Sequence, residues 1–334
     1  MTPRRPTIID VARKAGVSKS LVSLALRGSP SVKAETREKI IAAADDLGYQ
    51  TNAWARSLVS GQSRLIGVVL TDLANPYGTE IINALEVAVE ARGYGVLIGH
   101  GRRKPEVLEK RVQQLMRLGV DGMVVVSGHL DPAFLARMAR AVPLVVVGKY
   151  DGLDIDSVTN DDTAGARLAM SHLVEQGHER IAHLTMSPRP ATRERLTAVR
   201  GFSAEHGLDT RFIRPEDIDG IGHAWANDPA APTAVFASND VGALRVISEV
   251  RGAGLHVPQD IAVVGYDNSA LARSQLGGLT SVDQPRELMG NLAAEMILER
   301  IEGRTDVRHE IVEPTLVIRG STSGTAGCAL ALTS

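Results

Sequence analysis

From Leu65 onward the chain repeats one unit: a short apolar run, a turn, then a stretch with helical periodicity. Leu65 to Leu70, Tyr94 to Ile98, Gly122 to Val126 and Leu144 to Val147 read as strands. Nearly continuous apolar runs of this length suit a parallel sheet covered by helices on both faces. Helical stretches over 79–92, 106–118 and 130–141 separate them. The alternation resumes with helices over 164–176, 194–205 and 241–251 and strands over 180–184, 234–237 and 261–265. Two such series predict an α/β body of two lobes, each a doubly wound parallel sheet. Ligands bind such sheets at the carboxyl ends of the strands, here across a cleft between the lobes.

The chemistry of the body is that of a binder. No G-x-G-x-x-G follows the first strand and no P-loop is present, so no nucleotide cofactor is indicated. There is no H-E-x-x-H and no G-x-S-x-G, which disfavours an enzyme. Cys328 is the single cysteine, which excludes an internal disulfide and a cysteine-based metal cluster. No apolar run reaches the roughly 18 residues needed to span a membrane. The N-terminus lacks the apolar stretch of a secretion signal, so a cytoplasmic location is the default.

The first sixty residues follow a different pattern and are all-α. They hold ten Lys/Arg against five Asp/Glu, a charge of +5, while the remaining residues carry −7 to give −2 overall. A basic head on an acidic body suits a module that sits on phosphate while the body stays off it. Thr7 followed three residues later by Asp10 is a capping box opening a first helix. Val11, Ala12 and Ala15 share its inner face, and Gly16 breaks it in the left-handed conformation that a tight turn needs. Ser18 caps a second helix to Leu26, with Leu21, Val22 and Ala25 inward. A third runs from Lys33 to Leu47. The small and apolar positions, with Gly between them, have the spacing of a helix-turn-helix.

In that motif the second helix enters the major groove of double-stranded DNA. The base-reading candidates are Lys19, Ser20, Ser23 and Leu24. Lys19 can donate to guanine acceptors, and Leu24 offers only apolar contact, such as to a thymine methyl. The hydroxyls of Thr7, Ser18, Ser31 and Thr36 are placed either to cap helices or to bond phosphates.

The segment from Thr7 to Leu58, with DVA-x-x-AGVS, TRE and LGY, resembles the headpiece of the LacI/GalR family of bacterial transcription repressors. TDLANPY after the first strand, HLVEQGHERIAHL, PTAVFASND, VPQDIAVVGYDN, LTSVDQP and LVIRGST extend the resemblance over about residues 6–322. It implies residues 1–50 as a DNA-binding domain, and 51–63 as a hinge helix and linker. It also implies a body of the periplasmic-binding-protein-like fold with three crossings between lobes, near 158, 285 and 314. One lobe would comprise 64–157 plus 286–313, and the other 158–285 plus 314–334. Asn52 would contact phosphate, Ala55 would face the minor groove, and Leu58 would wedge into a central base step. A seven-residue helix is too short to be stable alone, and an apolar wedge can kink DNA.

The resemblance further implies a nucleoid-associated homodimer on a pseudo-palindromic operator, most simply a repressor controlled by a small effector, a sugar or sugar derivative. The effector candidates are Asn75, Tyr77, Arg189, Arg195, Trp225, Asn239, Asp240, Asp267 and Gln284. An Arg, an Asn and two Asp converging in a cleft can hold a polyol by paired hydrogen bonds. Thr51 stands where the family often has Pro, and Leu24 where it often has Arg. The stretch from Asp209 to Pro232 is several residues short, and Gly148-Lys149 replace an Asp-containing pair. The tail after Ser323 lacks the leucine heptads that would support a tetramer. A free solute-binding protein and a sugar-modifying enzyme are the competing readings, disfavoured by the head and by the missing catalytic constellation.

Overall fold

A computed structural model describes residues 6–26, 29–48, 62–150, 152–274 and 278–323. They form two compact units, one ending at Arg64 and the other starting at Leu65.

In the first unit, helices α1 (Ile8–Ala15), α2 (Lys19–Leu26) and α3 (Ala34–Asp46) close around a small core. Val11, Ala15, Val22, Ala25, Ile40, Ala43 and Ala44 are buried in it. The Thr7 backbone N–H and hydroxyl both donate to the Asp10 carboxylate, at 2.8 and 2.6 Å, which fixes the start of α1. Gly16 ends α1 at φ +68°, a conformation that only glycine adopts without strain. The Leu21 N–H then donates to the Ser18 hydroxyl at 3.2 Å, which caps α2.

The second unit holds two six-stranded sheets of the same winding. The first lobe contains β1 (Leu65–Leu70), β2 (Gly95–His100), β3 (Gly122–Val126), β4 (Leu144–Val147), β5 (Asp156–Asn160) and β11 (His309–Val312). Their order is β11-β5-β4-β3-β1-β2, all parallel. The second lobe contains β6 (Arg180–Leu184), β7 (Asp209–Ile213), β8 (Ala234–Ala237), β9 (Ala262–Asp267), β10 (Thr280–Asp283) and β12 (Thr315–Val317). Their order is β12-β10-β9-β8-β6-β7, parallel except for β12.

Alternate residues of β1 feed opposite cores, as burial on both faces requires. Ile66, Val68 and Leu70 pack with Ile81 and Leu85 of α4 (Pro76–Glu90) and with Met289 and Ile297 of α12 (Arg286–Ile301). Val69 turns the other way, toward Leu108 and Val112 of α5 (Pro105–Arg117) and Phe134 of α6 (Pro132–Ala139). In the second lobe Val235 and Ala237 meet Val246 and Val250 of α10 (Asp240–Gly252). Ala234 and Phe236 meet Met170 of α7 (Asp162–Glu175) and Phe202 of α8 (Pro190–His206).

The chain passes between lobes after β5, between β10 and α12, and between β11 and β12. The first passage comes after Asn160, close to the crossing near 158 that the resemblance implies. All of β5 stays in the first sheet because Asp156, fully buried at its start, receives paired bonds from Arg300 and Arg304. That polar beginning is also why the sequence did not announce β5 as a strand. Helix α12 and the strands β7, β10, β11 and β12 were likewise not foreseen. No helix among the described residues is long and apolar enough to cross a membrane.

Candidate functional site

The carboxyl ends of β1, β3 and β4 and those of β6, β8 and β9 open on one cavity of about 330 Å³ between the sheets. Its first-lobe wall is mixed. Leu70, Val126 and Val147 give it an apolar floor, while Asn75, Tyr77 and the loop Ser127-Gly128-His129 give it polar edges. Asn75 starts α4, where its carbonyl oxygen accepts the Tyr77 N–H at 3.2 Å. That bond and Pro76 at the first helical position fix the direction in which Tyr77 leaves the helix.

The second-lobe wall is built around Arg195, which α8 projects inward. Its Nε donates to Asp162 at 2.7 Å, its Nη1 donates to the Ser238 carbonyl at 2.6 Å, and its guanidinium lies 3.5 Å from the centre of the Tyr266 ring. Burial disfavours the charge of Arg195, but Asp162, Tyr266 and Asp267 more than offset this and hold its pKa above the usual value. The Tyr266 hydroxyl donates to Asp162 at 3.1 Å and accepts from Asn160 at 2.7 Å. Helix α7 can lie this close to Tyr266 only because residue 165 is glycine: a Cβ there would fall 2.2 Å from the Tyr266 hydroxyl. Asn160 lines the cavity, while its Oδ1 is sealed from solvent and has no donor among the described residues.

Asp267 ends β9 at φ +102°, a strained value for a non-glycine residue that the fold imposes where its side chain meets the cavity. Gln284 donates to its carboxylate at 2.6 Å. Burial, and next the nearby Asp240, push the Asp267 carboxyl up to about 7. Such a group can accept from a ligand hydroxyl or donate to one. Asn239, Gln284 and Arg189 also line the cavity.

Two expected contact residues do not reach the cavity. Asp240 is buried beneath it, where its oxygens accept from the Ser269 N–H and hydroxyl and from the Ser281 hydroxyl, at 2.7, 2.8 and 2.6 Å. It pins the turn between β9 and α11 (Ala270–Ser274) and contacts no open space. Trp225, on α9 (Ile221–Ala226), is buried in the second-lobe core with Ile213, Ile218 and Ile247. The short segment around it allows α9 to press on α10, so close that a Cβ on Gly222 would fall 2.1 Å from the Glu249 carbonyl. Trp225 therefore fills the core, and no aromatic ring from this stretch lines the cavity.

On the head, Lys19 and Ser20 are exposed on the first turn of α2, and Ser23 and Leu24 are half-buried one turn on. Leu24 packs in part against the head core. Among the hydroxyls, Thr7 and Ser18 are engaged in caps, and Ser31 is paired with Ser29 at 2.8 Å. Thr36 is half-buried in the first turn of α3. Asn52, Ala55 and Leu58 lie outside the described residues.

A family profile described as bacterial regulatory proteins, lacI family, matches residues 7–52. Another, the periplasmic binding protein-like domain, matches residues 170–322. Over 94% of this chain and 98% of the relative, the sequence is 33% identical to an HTH-type transcriptional repressor PurR from Photobacterium profundum. This chain belongs to the LacI family. It is 31% identical, over 94% of its length and 98% of the relative, to a ribose operon repressor from Haemophilus influenzae. A lac repressor dimer bound to operator and an anti-inducer superposes with a TM-score of 0.84, at 28% identity over 96% of this chain and 99% of that one. The transcriptional regulator CelR in its cellobiose complex gives 0.69, at 30% identity over 95% and 100%.

The LacI-family chain is thus a non-enzymatic DNA-binding transcription regulator with an effector-binding body. Sequence reasoning did not single out Asn160, Asp162, Tyr266 or the buried hydroxyl pair Thr71 and Ser127, 2.7 Å apart. Gly165, set among helix-forming residues, was the one local sign that something large lay against α7.

Proposed function

We propose that this LacI-family regulator is a homodimeric repressor acting on a pseudo-palindromic operator in the nucleoid. A polyhydroxylated effector in the cavity would control it. Lys19, Ser20, Ser23 and Leu24 would face base edges, and Thr7, Ser18, Ser31, Thr36 and Asn52 the phosphates. Ala55 and Leu58 of residues 51–63 would enter the minor groove. Arg195, Asp267, Asn239, Gln284, Asn75, Tyr77 and Arg189 would hold the effector.

One observation carries the choice of effector class. Hydrogen-bonding side chains from both lobes converge on the cavity, whereas Tyr77 is the only Phe, Tyr or Trp among its described lining residues. That lining suits a ligand rich in hydroxyls better than a flat base, which needs aromatic faces to stack on. HTH-type transcriptional repressors PurR and a ribose operon repressor both stand among the relatives. Effector binding would act by linkage, shifting the lobe arrangement only as far as its affinities for the two states differ.

The test is to recover a binding site for the purified full chain from randomised DNA, then measure affinity for that site across a sugar and nucleoside panel. A two-fold symmetric site and a sugar-dependent affinity are expected. The Gln284→Ala variant should bind the same DNA and lose most of the sugar response. Recovery of no preferred DNA sequence, or a response to nucleobases alone, would refute the reading.

A further inference from the structure

Among the described residues, the charged side chains lining the cavity pair off except Asp267, which Gln284 holds, and Arg189. Asp72 binds Arg103, Asp162 binds Arg195, and Lys149 binds Glu194 across the lobes. The side chain of Arg189, immediately before α8, makes no hydrogen bond or ion pair among the described residues. Its Nε is sealed from solvent with no acceptor.

Among the described residues, the opposing wall brings no carboxylate within ion-pair distance of Arg189, and its one lining carboxylate, Asp72, is held by Arg103. The Arg189 side chain lies across the cleft from Gly128, where an added Cβ would sit 3.8 Å from Arg189 Cδ. Next to Gly128 stands His129, whose Nε2 is also sealed and has no partner among the described residues. Burial and then the Arg189 charge lower the His129 pKa to about 4, so at neutral pH it adds no charge. The negative charge that favours Arg189 is Asp267, outside ion-pair distance and only partly ionised near pH 7. A half-buried guanidinium whose Nε is sealed without an acceptor carries a cost until one arrives, and its planar fork fits a carboxylate or phosphate.

We propose that the effector carries an anionic group, a phosphate ester or a carboxylate, on its polyhydroxylated frame, and that Arg189 receives it. This rests on the cavity being the effector site. The hydroxyl-bearing part would lie toward Arg195, Asp267 and Gln284, and the anion toward the Gly128-His129 loop. Lys149 and Arg189 reach the cavity from opposite lobes, so an anion near both would favour the closed arrangement.

The experiment is thermal unfolding of the full chain during titration with inorganic phosphate and, separately, with acetate, at constant ionic strength. A saturable rise in the midpoint of the body's transition is expected. The anion giving the larger rise separates phosphate ester from carboxylate. Arg189→Gln should weaken the response about tenfold or more, the scale of losing hydrogen bonds to a charged group. Arg189→Lys, which keeps a point charge and loses the fork, should fall between the two. Phosphate held by the basic head would survive in every variant. An undiminished response in Arg189→Gln therefore overturns the proposal, as does no response to either anion in the parent chain. DNA binding by the same preparations scores the functional reading separately: a site-specific regulator that responds only to neutral sugars would overturn the anion proposal alone.

Discussion

The head and the cavity prepare for their ligands in opposite ways. On the head, the base-reading candidates lie within one helix, from Lys19 to Leu24, and its leading pair Lys19 and Ser20 are exposed. In the cavity, Arg195, Asp267 and Gln284 are at most 7% exposed and are already held by partners from distant segments. The head's surface is displayed by a small apolar core that shares only Leu24 with the four base-reading candidates. The cavity's surface is itself part of a buried polar network, so recognition and stability share the same side chains. Substitutions should therefore separate function from folding in the head's exposed residues, whereas in the buried network of the cleft a lost effector response should come with a lost part of the body's stability.

The largest expected effect tests the cleft half of this contrast. Asp162→Ala leaves the buried Arg195 with only a carbonyl and a ring face, and should destabilise the body by about 3–5 kcal/mol. Urea unfolding followed in the body should show it. Asp162→Asn, which keeps a group able to accept from Tyr266, should cost less. A stable Asp162→Ala protein that has merely lost its effector response would break the comparison, because the network would then serve the ligand alone.

Ile40→Ala tests the head half. Ile40 is fully buried in a core of few residues. Deleting it should cost about 2–5 kcal/mol, comparable to the few kcal/mol that so small a core supplies. DNA binding should be lost while the body's unfolding midpoint stays in place, as calorimetry would read. A shift of the body's transition would show that the two units do not unfold separately.

This difference also decides what could be read in advance. The helix-turn-helix was legible because its signals are local: Thr7 with Asp10, Gly16, Ser18, and the spacing of Val11, Ala15, Val22 and Ala25. The apolar strands β1, β3, β4 and β8 were legible for the same reason. The cavity is made of contacts between residues about a hundred apart, such as Tyr266 with Asn160 and Asp162. No local pattern announces these. The family resemblance supplied Arg195, Asp267, Asn239 and Gln284, which do line the cavity. It also supplied Trp225, which the shortened segment around α9 turns into the core. Asp240 shows the same limit on a smaller scale, since its neighbour Asn239 faces the cavity while Asp240 is tied beneath it by Ser269 and Ser281.

The pH response sharpens the contrast further. In the unfolded chain Asp267 releases its proton near the ordinary carboxylate value, whereas in the fold it holds it up to about 7. Between those values the native state binds more protons than the unfolded state, so this group's contribution to stability falls as pH rises. Its slope is at most about 1.4 kcal/mol per pH unit. Asp72 and Asp156 are shifted downward, so their effect lies at lower pH and has the opposite sign. Relative to Asp267→Asn, the parent body should lose stability between pH 5 and pH 7, measured as urea midpoints. Parallel pH curves for the two proteins would show that Asp267 does not titrate there.

The smallest effect separates two roles of one hydroxyl. Thr7 is proposed to reach phosphate, yet its hydroxyl is already committed to Asp10 at the start of α1. Removing the cap by Thr7→Ala should cost about 1 kcal/mol of head stability. Asp10→Ala breaks the same capping box from the other side while leaving the hydroxyl in place, so, compared at high salt to discount its lost charge, it calibrates what capping contributes. If Thr7→Ala weakens DNA binding more than Asp10→Ala at equal loss of head stability, the hydroxyl also bonds phosphate. Because a hydroxyl carries no charge, that excess loss should leave the salt dependence of binding unchanged, unlike the loss of a lysine or arginine. Equal losses in the two variants would reduce Thr7 to its cap, and the head would then contact phosphate from its exposed side chains alone.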